Sequence, residues 1–153
     1  MIDTAKKEYI FDGDGEWIQP LRATFEEYKD KVVIENMFIS NFTWGNFTTL
    51  DDYFRGKEAT FVKMDIEGSE QKALMGAMNM LQRDEMSFVI AKYHRPEDMD
   101  FISAFMGSAG YSVEQVPNWL WVDHKVFGAE PFGSFRKAML HASRRHLGGN
   151  GLM

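Results

Sequence analysis

The run Thr60-Phe61-Val62-Lys63-Met64 breaks at Asp65-Ile66-Glu67-Gly68-Ser69-Glu70 into three carboxylates around a glycine, then continues with Ala73, Leu74, Ala77, Met78 and Leu81 at helical spacing. That change of period predicts a strand, a tight turn and an amphipathic helix. Ligands of open α/β sheets bind beyond the carboxyl ends of the strands. Acids gathered at such a turn are therefore candidates for touching a ligand rather than for filling a core.

The flanking sequence repeats the alternation. Glu8-Tyr9-Ile10-Phe11 is β-prone and ends in Asp12-Gly13-Asp14-Gly15, a turn that delivers two acids. Trp17, Ile18, Leu21, Phe25 and Tyr28 recur at helical spacing, with Pro20 tolerable close to the helix start. A second strand opens at Val32-Val33-Ile34 and reaches about Ile39, followed by a loop that carries Phe42, Trp44 and Phe47. Residues 48–54 suit a short helix with a threonine N-cap and with Asp51 and Asp52 in its first turn. After the strand at 60–64, a fourth strand over 87–93 ends at His94-Arg95-Pro96. Phe101, Ile102, Phe105, Met106 and Ala109 mark a helix that Gly110 should end. Strands are expected near 111–116 and 119–126, then a terminal helix over 131–147 with Phe132, Phe135, Met139 and Ser143 on one stripe, and a frayed 148–151. Methionines such as Met78 and Met106 follow helical faces and read as core filler. Strands alternating with helices point to right-handed βαβ units and a mostly parallel sheet.

At 153 residues the chain is of single-domain size, enough to bury about two thirds of its unfolded surface. Without cysteine it has neither a disulfide framework nor thiolate metal ligands, which suits a reducing compartment. Residues 1–7 lack the apolar core of a signal peptide, and no apolar run approaches the ~20 residues that span a bilayer. The expectation is a cytoplasmic protein without a membrane span. Residues 1–130 hold 13 Lys and Arg against all 23 Asp and Glu, a net −10, while Arg136, Lys137, Arg144 and Arg145 meet no acid beyond them, a net +4. Neutralisation of phosphates by Lys and Arg supplies most nucleic-acid affinity, so an acidic body argues against that partner. The four basic residues read as a solvated helix face.

Several residues could carry chemistry, and each has a structural explanation beside the functional one. Asp12, at the end of the first strand, stands where a nucleotide-binding domain places an acid for ribose hydroxyls, although Asp-Gly-Asp-Gly is also ordinary turn chemistry. Glu67 and Glu70 would be favourable at a helix N-terminus on charge alone, which does not account for Asp65. Asp65 either projects into the crevice or caps the loop by accepting backbone N–H bonds. On a parallel sheet His94 shares the rim with Asp65, where a neutral imidazole can take a proton from a hydroxyl; otherwise it merely packs before Pro96. Asp65, Glu67 and His94 have no recognised ligand spacing, so no metal site is expected.

In this order the residues resemble the FkbM family of S-adenosylmethionine-dependent methyltransferases. The resemblance rests on 61–70 with Ala73-Leu74 and Gly76-Ala77, on Thr49-Leu50-Asp51 upstream, and on Tyr93-His94-Arg95-Pro96-Glu97-Asp98 downstream. It covers roughly residues 8–127. It implies a Rossmann-like α/β methyltransferase sheet, mostly parallel with an antiparallel C-terminal strand, as a domain over 1–127 followed by a basic helix and tail over 128–153. It also implies methyl transfer from S-adenosylmethionine to a hydroxyl of a small molecule or glycan. By position Asp12 matches the family's cofactor-ribose acid. Asp65 matches the acid near the cofactor's methionine end and the acceptor, so it is both a cofactor-binding and a catalytic candidate. Glu67 and Glu70 fall on motif positions assigned here to the substrate side, and His94 is the candidate base.

One departure accompanies the match. The family's cofactor loop, a glycine-rich turn after the first strand, should lie some twenty residues before Tyr9, where this sequence has eight. The first strand and that loop are therefore expected to be absent, which would leave two sheet edges unpaired and open to a homo-oligomer or domain swap. Two alternatives follow. The chain is a non-catalytic remnant or association module that uses its open edges and the Phe42, Trp44 and Phe47 loop, or it is a different Rossmann-like binder whose acid suits NAD ribose. The NAD reading lacks its glycine fingerprint.

Overall fold

A computed structural model of the chain describes residues 4–83, 86–117, 119–122 and 134–144. The chain divides into two compact units, residues 1–55 with 72–77 and residues 56–71 with 78–153.

In the first unit, β1 (Glu8–Phe11) pairs in parallel with β2 (Val32–Glu35), Tyr9 opposite Val33. The crossover is α1 (Gly15–Thr24), which Asp14 starts by accepting the Glu16 N–H on its carboxylate at 3.0 Å. The strand expected to run from 32 to 39 is interrupted. The Asn36 amide turns back to donate to the carbonyl of Asp12 at 2.9 Å, and the chain resumes as β3 (Phe38–Ile39), parallel to β4 (Phe47–Thr48). Next comes α2 (Leu50–Tyr53), capped by Thr49 Oγ1, which accepts the Asp52 N–H at 2.9 Å. Its end presents Tyr53 and Phe54 edge-on to Phe11 and Tyr9, at ring separations of 4.7 and 5.1 Å. Edge-to-face pairs of this kind add about 0.5–1.5 kcal/mol to the burial of each ring.

The second unit is built on a four-stranded sheet. Its members are β5 (Phe61–Met64), β6 (Ser87–Ala91), β7 (Ser112–Gln115) and β10 (Met139–Ser143), in the order β5-β6-β10-β7. β5 and β6 are parallel, with Met64 opposite Ile90, and β10 is antiparallel to both its neighbours. Helix α4 (Asp98–Ser108) links β6 to β7 and buries Ile102 and Met106 completely. A separate antiparallel hairpin joins β8 (Trp119–Val122) to β9 (Ser134–Lys137). No helix among the described residues is long and apolar enough to cross a membrane.

Two expected helices are corrected. Of the helix expected over 131–147, the described residues 134–137 and 139–143 are strands instead, and β10 lies inside the sheet. Leu140 and Ala142 are fully buried while Met139, His141 and Ser143 are only partly so; a place between two strands selects this period of two over the apolar stripe at helical spacing. Arg144 likewise is more than a solvated basic residue: its guanidinium donates to the carbonyls of Leu81, Gln82 and Ala109. The helix after the acidic turn, α3 (Glu70–Met75), also stops early, at Gly76. Met78 therefore leaves the buried face and is 50% exposed, whereas Ala73, Leu74, Ala77 and Leu81 are buried as expected. Residues 123–126 and the tail 148–151 lie outside the described residues.

Candidate active site

β5 delivers Asp65 immediately after the buried Met64, and the chain then reverses within four residues. Two successive left-handed residues make that reversal, Glu67 at φ 55° and Gly68 at φ 85°. Glu67 is the one non-glycine residue with positive φ among the described residues. Such a conformation costs an ordinary side chain on the order of 1–2 kcal/mol and persists where the surroundings enforce it. Ser69 N–H closes the turn on the Ile66 carbonyl at 3.1 Å, and Glu70 Oε1 accepts the Ile66 N–H at 2.9 Å. Glu70 is therefore more than a favourable charge at a helix start: it is fully buried and ties the turn to the helix that follows.

The opposite wall comes from the end of β6. Past Ala91 the chain stays tied by the Lys92 N–H to the carbonyl of Ala138 at 2.8 Å, then turns at Tyr93-His94-Arg95. Asp98, fully buried at the start of α4, accepts from the Arg95 N–H and from the Gln71 side chain, each at 2.9 Å, and so fixes the segment that bears His94.

These two turns bring Asp65, Glu67, Glu70 and His94 together. The His94 side chain is 1% exposed. Its Nδ1 lies 3.0 Å from Glu70 Oε1 on the buried side, while Nε2 lies 3.4 Å from Glu67 Oε2 and 3.7 Å from Asp65 Oδ1. The Asp65 and Glu67 side chains are 34% and 77% exposed, so the Nε2 side of the ring faces the solvent rim through carboxylates. An imidazole with a buried carboxylate at one nitrogen and an accessible rim at the other has the arrangement of an oriented proton acceptor. Tyr93 lies against the His94 ring at 4.1 Å and donates its hydroxyl to Asp65 Oδ1 at 2.9 Å. Burial, then that hydrogen bond, then the charges of Asp65, Glu67 and Glu70 hold the Tyr93 phenol above its ordinary range. It therefore remains a neutral donor to Asp65 and is unsuited to be the base.

Asp12 stands in the other unit, at the end of β1. Its N–H donates to the Glu35 carbonyl at 3.1 Å, and Oδ1 accepts the Asp14 N–H at 2.9 Å. Its turn chemistry is thus realised, with the carboxylate fixed at the strand end. Sequence reasoning gave Tyr93 and Asp98 no role, although both lie in the segment that carries the resemblance. The signal for Asp98 was its place three residues after Arg95, the spacing at which a side chain can accept a backbone N–H of a turn.

Gly68 carries two constraints at once. Besides its left-handed backbone, a Cβ there would come 3.2 Å from Arg95 Nε and 3.5 Å from His94 Cβ. Gly68→Ala is expected to lower stability by about 1–2 kcal/mol from the backbone alone, read as a lower urea midpoint. An unchanged midpoint would contradict the left-handed turn.

Acids and a histidine are thus gathered where the parallel strands β5 and β6 end. The methyltransferase FkbM domain model matches residues 13–113. The chain belongs to the FkbM methyltransferase domain family. Among solved structures it resembles the methyltransferase FkbM from Methylobacillus flagellatus KT, with a TM-score of 0.68 and 21% identity over 90% of this chain and 36% of that one. It also resembles precorrin-6y C5,15-methyltransferase from Geobacter metallireducens GS-15, with a TM-score of 0.60 and 10% identity over 91% of this chain and 67% of that one. The chain thus spans just over a third of the length of the first of these structures. Nothing among curated proteins matches it.

Proposed function

We propose that this chain carries the reacting end of a site that moves a methyl group from S-adenosylmethionine to a hydroxyl of a small molecule or glycan, in the cytoplasm. The observation that carries this reading is the buried His94 held between Glu70 and the two rim carboxylates. The residues fit the donor by chemistry. Asp65 at the end of β5 would face the cationic methionine portion. Within its own unit, the Asp12 carboxylate fixed at the end of β1 has the chemistry to accept from ribose hydroxyls. When bound, the donor would supply an electrophilic methyl on a sulfonium. His94 Nε2 would take the proton of the acceptor hydroxyl. Glu70 at Nδ1 holds the ring in place and stabilises the imidazolium that results. Glu67, on the solvent side, would contact the acceptor. Most of the rate enhancement in such a displacement comes from holding donor and nucleophile together.

His94→Gln is expected to lower turnover by about 10²–10⁴-fold, the usual worth of a general base, with donor binding retained. The measurement is transfer of labelled methyl from the donor to a panel of free sugars, with circular dichroism confirming the fold. Undiminished turnover in His94→Gln would remove His94 from the chemistry.

A second reading is favoured by the strand edges. Among the described residues β1 pairs only with β2, and β5 at its edge of the sheet pairs only with β6. Open edges template pairing with other chains, and Phe42 and Trp44 add apolar exposure, Trp44 at 79%. In this reading a partner or second copy supplies a strand to one of these edges. Light scattering at micromolar concentration should then show a concentration-dependent oligomer. A compact monomer throughout would contradict it.

A further inference from the structure

We propose that Asp65, Glu70 and His94 bind a divalent transition-metal ion. Each offers one ligand atom, and these atoms all lie within 4.8 Å of one another. An ion holding nitrogen and oxygen ligands tetrahedrally at about 2.0–2.2 Å keeps them about 3.4 Å apart, so the observed group needs closure on the order of 1 Å. Glu67 Oε2, 3.4 Å from His94 Nε2, flanks the same space from the solvent side.

The second observation is independent of that clustering. Glu70 is completely buried, and while Oε1 takes the Ile66 N–H, Oε2 has no hydrogen-bond partner. A buried carboxylate oxygen without a donor is unfavourable unless a cation meets it. Three carboxylates surround the ring, and a divalent ion offsets two of their negative charges. Imidazole with carboxylate oxygens suits Zn²⁺ and Mn²⁺, whereas Mg²⁺ prefers an all-oxygen, largely hydrated shell. The partial exposure of Asp65 leaves the ion open to solvent on one side. No ligand spacing in the sequence announces the site, because its members come from two strand ends joined only by the fold.

The inference stands apart from the methyl-transfer reading. If the ion takes the Nε2 lone pair, it occupies the atom that the base needs, and metal and proton then compete there.

The test is calorimetric titration of the folded chain with Zn²⁺ alone and then with Mn²⁺ alone, with no methyl donor present. Saturable binding of one Zn²⁺ per chain is expected, weakened about tenfold or more in Asp65→Asn and in Glu70→Gln. The Asp65 variant alters a partly exposed group and stands as the measure if the Glu70 variant fails to fold. Imidazole nitrogen resonances provide a second readout: the His94 signals should move on Zn²⁺ addition in the wild type, and in Asp65→Asn only at about tenfold or more higher Zn²⁺. No saturable binding by a chain that circular dichroism shows to be folded would overturn the proposal. So would binding unchanged in both Asp65→Asn and His94→Gln, which would place the ion on His124, His141 or His146. Failure of the methyl-transfer reading would appear separately, as absent donor binding with metal binding intact.

Discussion

Gly76→Ala is expected to destabilise the chain by about 2–3 kcal/mol, although alanine is ordinarily the better residue beside a helix. A Cβ at this position would overlap the Ser40 carbonyl oxygen and come 3.2 Å from both the Ser40 carbonyl carbon and the Thr49 Cβ. Neither side can give way cheaply. Gly76 N–H is bonded to the Lys72 carbonyl at 3.0 Å, and its own carbonyl accepts the Asp51 N–H at 3.0 Å. Ser40 is fixed in turn by its N–H to the Thr48 carbonyl at 2.9 Å. The glycine is required for space, since its backbone is not among the left-handed ones. Gly107→Ala in α4 is the matched control, because a Cβ there meets nothing within 4 Å. It should stabilise by about 0.5–1 kcal/mol. Urea midpoints moving in opposite directions would confirm the packing. A Gly76→Ala midpoint at or above the wild type would refute it.

Arg144→Ala should cost a similar amount, about 2–4 kcal/mol, for a different reason. The Arg144 guanidinium donates from Nη2 to the carbonyls of Leu81 and Ala109 at 2.7 and 3.0 Å, and from Nη1 to that of Gln82 at 3.2 Å. Leu81 and Gln82 end a short 3-10 turn, and Ala109 caps α4, so one side chain satisfies the carbonyl ends of two helical segments. It also lies 5.3 Å from the centre of the Tyr111 ring. Hydrogen bonds from a charged donor are worth about 1.5–3 kcal/mol each, discounted here because Arg144 is partly solvated. Lysine keeps the charge but lacks the planar fork, so Arg144→Lys should recover less than half the loss. Equal stability of Arg144→Ala and wild type in urea would show that water replaces the guanidinium without cost.

The acidic turn was legible in the sequence because its signals are local: an apolar run, a glycine that permits positive φ, and a change of period from strand to helix. The strand-helix alternation around it was legible for the same reason, and β1, β2, β5, β6 and α4 fall close to where it placed them. What escaped it depends on distant partners. Met139 to Ser143 offers both a helical stripe and an alternating Leu140-Ala142 pattern, and only the gap between β6 and β7 decides between them. Arg144 looks like any surface cation until the carbonyls it reaches, more than thirty residues away in sequence, are known. In the site, Asp65 and His94 could be assigned to neighbouring strand ends from topology alone. Glu70 could not be placed so, because a glutamate at a helix start is usually solvated; here Ile66 and His94 hold it in the interior.

The central claim is that the acids and histidine at these strand ends belong to a working methyl-donor site. Calorimetric titration of the folded chain with S-adenosylmethionine tests it most directly. Saturable binding of one donor per chain, weakened about tenfold or more by Asp65→Asn, is the expected result; no saturable heat from a chain whose fold is intact would contradict it.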